Sequence, residues 1–99
     1  MEPKLSLDEA KAVVETKTAP RVTENGIKDK IASAEYIMHN QLTICILTMS
    51  NGFMVHGVSA PASPANFDAE VGKRYAYDNA FKQLWPLEGY LLRELLAAR

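Results

Sequence analysis

One cysteine, Cys45, is too few for an intrachain disulfide. Its place inside an apolar run suits a small buried hydrophobe better than a nucleophile. The two histidines, His39 and His56, stand apart from each other and from Cys45, with no pair at the spacing of zinc ligands, so neither a metal nor another cofactor is expected. No serine, threonine or cysteine falls in an order that suggests a nucleophile and its base, and Ser50, Ser59 and Ser63 read as turn and cap residues. A glycine-rich phosphate loop is also missing. No catalytic residue is assigned on these grounds, and the chain reads as a non-enzyme. No apolar stretch approaches the ~20 residues of a membrane span. The opening Met1-Glu2-Pro3-Lys4 lacks the basic start and hydrophobic centre of a secretory leader, so no membrane partner is expected and a cytoplasmic location is. Charge of either sign is scarce in the balance: a net −1 gives no global field toward nucleic acid.

What is present fits one α+β domain spanning residues 1–99, because a split would leave neither half enough apolar surface to bury. Residues 1–20 read as an N-terminal helix and linker: Ser6 and Glu9 form a capping box, Leu7, Ala10, Val13 and Val14 recur at helical spacing, and Ala19-Pro20 ends the segment. Residues 21–41 read as a second helix and a loop, with Thr23 as cap and Ile27, Ile31 and Ala34 on one face. Tyr36-Ile37-Met38 could end that helix or begin a strand, and His39-Asn40-Gln41 is turn-like.

Residues 42–60 carry the strongest local signal, a central antiparallel β-hairpin turning at Asn51-Gly52. A two-residue turn pairs Met49 with Met54 and Leu47 with His56, which puts His56 on a face with Cys45, Leu47 and Met54. Both hairpin faces are then apolar. One needs helices over it, and the other needs more chain or a second subunit. Residues 63–97 form a long kinked C-terminal helical segment, opened by Ser63-Pro64 and interrupted at Pro86. Gly72, Ala76 and Ala80 make a smooth ridge along it. That ridge, or the second hairpin face, is the expected surface of a homo-oligomer.

Lys73, Arg74 and Asn79 with Tyr77 combine cations and an aromatic ring on this segment, the mixture that holds phosphates and stacks bases. Glu70 to Arg74 and Asp78 to Lys82 are spaced for helix ion pairs, so a solvated face is the competing reading. His56 is either a rim histidine or a further ligand contact. Trp85 reads as an anchor at the kink, and a half-buried Glu88 would need a partner such as Arg74 or a backbone amide.

The ordered set Cys45 to Phe53, Gly57-Val58-Ser59-Ala60, Ser63-Pro64-Ala65-Asn66-Phe67-Asp68, Gly72, Asn79-Ala80 and Trp85 to Leu92 resembles the gp-forty-nine/gene-sixty-six family of small phage and prophage proteins. The resemblance covers about Tyr36 to Leu96, with Val22-Thr23, Ile27 and Ile31 similar to the family's preceding helix. It implies an accessory protein acting in the host bacterial cytoplasm. Accessory proteins of this size often antagonise host defence, by gripping a host defence protein or by sequestering a nucleotide immune signal in a small oligomer. A cyclic nucleotide would then meet Lys73, Arg74, Tyr77 and Asn79, with His56 as a further contact. A DNA-associated regulator of phage development is the alternative, against which the net charge weighs.

Overall fold

Side-chain oxygens set the start of three of the chain's four α-helices. In a computed structural model describing all residues from Met1 to Arg99, α1 spans Leu7–Glu15 and opens on the capping box: the Ser6 amide donates to Glu9 at 2.9 Å and the Glu9 amide to Ser6 Oγ at 3.1 Å. Helix α2 covers Glu24–Asp29 and is capped by Thr23, whose Oγ1 accepts from the Gly26 amide. A 3₁₀ turn at Pro64–Asn66 precedes α3, Ala69–Lys82, which is capped not by Ser63 but by Asp68, accepting from the amides of Glu70 and Val71. Gln83 closes α3 and opens α4, Leu84–Ala97, with helical dihedrals of its own, so the chain passes through a bend rather than a loop. The bend falls just before Pro86, whose ring crowds the preceding turn and which has no amide to donate there.

Three antiparallel strands form the sheet, in the order β1 (Ile31–His39), β2 (Leu42–Met49), β3 (Met54–Ser59). The expected second helix thus stops at Asp29, and the residues after Lys30 are a strand instead. Ala32, Ala34, Glu35 and Met38 favour helix locally. A ladder to β2 from Ile31–Met49 to His39–Leu42, irregular only at Ala32 where the register shifts, overrides that preference, and Asn40 takes a left-handed φ of 54° to close the turn. The hairpin register is also corrected by one residue. Gly52, at φ 91°, donates to the Met49 carbonyl, and the Met49 amide donates to the Phe53 carbonyl, so the loop holds three residues with a bulge at Gly52. Thr48 therefore faces Met54, Leu47 faces Val55 and Ile46 faces His56. Because side chains alternate, that slip moves every β3 residue to the other face.

Thr43, Cys45, Leu47 and Met49 point from β2 toward α3, where Val55, Ala76, Ala80, Phe81, Leu84 and Ile27 complete the core. Gly57 and Gly72 let the helix close on the sheet: a Cβ at Gly57 would lie 2.2 Å from the Ala80 amide nitrogen, and one at Gly72 would lie 2.7 Å from Thr43 Oγ1. The Gly72, Ala76 and Ala80 ridge is thus consumed within the chain and is not an oligomer surface. Only 11 of 99 residues are buried, none of them in α1 and only Leu84 in α4, and the radius of gyration of 16.6 Å exceeds the about 13 Å of a compact domain this long. No element covers the second face of the sheet. No helix is long and apolar enough to cross a membrane.

Candidate ligand-binding site

Helical spacing brings Lys73, Arg74 and Tyr77 to one side of α3, above the edge strand β1. Tyr36 pairs with Cys45, so its side chain projects to the α3 side of the sheet and meets them. Lys28 from α2 and Glu70 from the first turn of α3 complete a cleft of about 470 Å³. Its walls alternate cation and ring: Lys73 Nζ stands 5.8 Å from the Tyr36 ring centre, and the Arg74 guanidinium 4.9 Å from that of Tyr77. Tyr77 in turn stacks on Phe81 with centroids 5.9 Å apart, which ties the cleft wall to the core.

Each cation already has a carboxylate. Lys73 lies 3.3 Å from Glu70, Lys28 3.5 Å from Glu24, and Arg74 is hydrogen-bonded to Asp78. These are exposed, solvent-screened pairs within single helices, and an incoming phosphate can replace the carboxylates at small cost. The Asp78 hydrogen bond and charge hold the Arg74 pKa above its ordinary value. Burial, with Cys45 next to it, pushes the Tyr36 phenol up, and burial does the same to the Cys45 thiol.

Two of the expected contacts are elsewhere. Asn79 points to β3, where its Nδ2 donates to the Val58 carbonyl at 2.9 Å and clamps helix to sheet. His56 lies on the uncovered sheet face, and its carbonyl accepts from Gln83 Nε2. Lys28 and Tyr36 were not foreseen as cleft residues. The alternation Ala34, Tyr36, Met38 was the available signal, concealed by the helix-forming residues around it. Glu88, with its side chain 16% exposed, takes Lys30 as partner at 2.6 Å rather than Arg74. That pair crosses a groove in which Phe53, Leu84, Leu87 and Leu91 line about 380 Å³ between the hairpin tip and α4.

Residues 22–96 match a family model described as "Phage protein (N4 Gp49/phage Sf6 gene 66) family". No curated protein matches the chain, and no solved structure does.

Proposed function

The chain belongs to the N4 Gp49/phage Sf6 gene 66 family of phage proteins, and from that premise we propose that it is a non-enzymatic binding protein that antagonises host anti-phage defence by sequestering a nucleotide immune signal. The observation that carries this reading is the cleft in which Lys28, Lys73 and Arg74 converge with the rings of Tyr36 and Tyr77. Phosphate oxygens can accept from two guanidinium N–H groups of Arg74 at once, a stronger arrangement than its exposed pairing with Asp78. A base can stack on either tyrosine, at about 1–3 kcal/mol per base. Sequestration needs only occupancy, which suits a cleft without a nucleophile–base pair.

The test is a panel of labelled cyclic and linear nucleotides, measured by equilibrium binding and then recovered after heat release. Binding of one class, intact on recovery, and at least a tenfold loss of affinity in Lys73→Ala and Arg74→Ala are expected, since each variant removes a charged contact of about 1.5–3 kcal/mol. Unchanged affinity in both variants removes the cleft, and cleaved product removes sequestration. A second reading, capture of a host defence protein, is favoured by the apolar groove beside α4, where Leu87 and Leu91 remain half exposed. Loss of anti-defence activity in Leu87→Lys with nucleotide binding intact would select it. A DNA-associated regulator would instead bind DNA with a steep salt dependence, which the net charge of −1 disfavours.

A further inference from the structure

The sheet face turned away from α3 is ordered in rows across the three strands: Ser33, Thr48 and Met54; Glu35, Ile46 and His56; Ile37, Ile44 and Val58. Ile37, Met54 and Val58 are 49%, 57% and 47% exposed. The whole chain presents 7515 Å² to solvent. A folded monomer of 11.0 kDa presents about 5,600 Å². The excess of roughly 1,900 Å² is more than twice the ~800 Å² that each partner contributes to a standard interface. An apolar sheet face with no helix over it is the part of that excess with the least reason to meet water.

Symmetry identifies the occupant. A twofold axis between two stacked sheets, running along β2 at Ile46, keeps position along the strands and exchanges the outer ones. It lays β1 of one copy over β3 of the other. Glu35 then meets the second copy's His56, Ile37 meets the second copy's Val58, and Ile44 and Ile46 each meet their own counterpart. Carboxylate and imidazole come together twice, at opposite rims of an apolar centre. An axis across the strands through the same row would set Glu35 on Glu35 and His56 on His56, and so is disfavoured.

We propose that this face is the self-association surface of the protein, closing a twofold sheet-on-sheet dimer in which Glu35 pairs with the second copy's His56. Stacked sheets of this kind keep their strands within about 30° of each other. The dimer stands independently of the nucleotide reading, because the cleft lies on the α3 side of the sheet. Two clefts would face outward from one dimer.

Sedimentation of the full chain at micromolar concentration tests the surface. The wild type is expected to sediment as a dimer, and Ile37→Lys or Val58→Lys to raise the dissociation constant at least about a hundredfold, because the axis repeats each lost contact at about tenfold apiece. Both positions are half exposed in the single chain, so thermal melts of the variants should retain a cooperative transition. Glu35→Lys alone is expected to weaken the dimer about fivefold, and adding His56→Glu to recover it. A monomeric wild type overturns the proposal. So does a dimer that survives Ile37→Lys but is lost in Leu91→Lys, which would place the interface on α4. A double variant no tighter than Glu35→Lys overturns the register.

Discussion

Gly57→Ala should be among the most destabilising small substitutions in the chain, and the structure gives the size of the effect. A Cβ there would stand 2.2 Å from the Ala80 nitrogen, 2.4 Å from the Ala76 carbonyl oxygen and 2.8 Å from the Asn79 carbonyl carbon. All three are backbone atoms of α3, so no rotamer change relieves the contact, and the helix must withdraw by more than about 1 Å to restore van der Waals distance. Withdrawal loosens Ala76, Ala80 and Phe81 from Cys45, Leu47 and Val55, the larger part of the buried core. Overpacking costs about 1–3 kcal/mol where side chains can adjust. Here the upper end, about 3 kcal/mol, is expected. In urea, with a slope of roughly 1.5 kcal/mol/M, the midpoint should fall by about 2 M. The sign is informative as well as the size. In open strand, Gly→Ala would stabilise by about 0.4–1 kcal/mol through the unfolded chain, so an unchanged or raised midpoint would refute the close approach of α3 to β3.

Thr43 carries a buried hydroxyl with no hydrogen-bond partner. Thr43→Val keeps the shape, removes the unsatisfied group and should stabilise by about 1 kcal/mol, read as a rise of roughly 4–8 °C in Tm. The Cys45 thiol is fully buried and its pKa raised by that burial. A thiol reagent near neutral pH should therefore modify it only as fast as the chain opens, and stoichiometric reaction within seconds would contradict its placement. The Ser6 amide hydrogen bond holds the Glu9 carboxyl below its ordinary value. The folded cap thus favours the ionised form, so its contribution is present above the ordinary carboxylate range and lost as pH falls through the lowered value. Amide chemical shifts should show α1 fraying in acid before the sheet does, and a cap unchanged at low pH would remove Glu9 from it.

Local chemistry made some of the fold legible and misdirected the rest. The Ser6 capping box, the Thr23 cap and the Gly52 turn act within a few residues, and all are present in the structure. The third strand was only half visible, with Tyr36-Ile37-Met38 open between helix and strand and the residues before it read as helix, because Ala32, Ala34, Glu35 and Met38 favour helix and only pairing with β2, a tertiary contact, makes them extended. The hairpin register turned on a smaller distinction. Asn51-Gly52 fits a two-residue turn, but it equally fits a three-residue loop with Gly52 in the bulge. The cleft was half visible for the same reasons: Lys73, Arg74 and Tyr77 share a helix, whereas Tyr36 joins them only once β1 is a strand.

That one-residue difference in register governs how the molecule divides its surfaces. With Leu47 opposite His56, the histidine would sit under α3 among core residues, where its ring nitrogens would need buried hydrogen-bond partners. With Ile46 opposite His56, the place beneath the helix passes to Val55 and Gly57, and it is the missing side chain of Gly57 that lets Ala76 and Ala80 seat there. The ridge expected to bind another subunit is thereby used up inside the chain. Of the exposed apolar residues, Ile37, Met54 and Val58 gather on the opposite sheet face, with Glu35 and His56 in the row between them. The proposed association face and the proposed ligand cleft consequently fall on opposite sides of one sheet, and a variant at either side can be judged without disturbing the other.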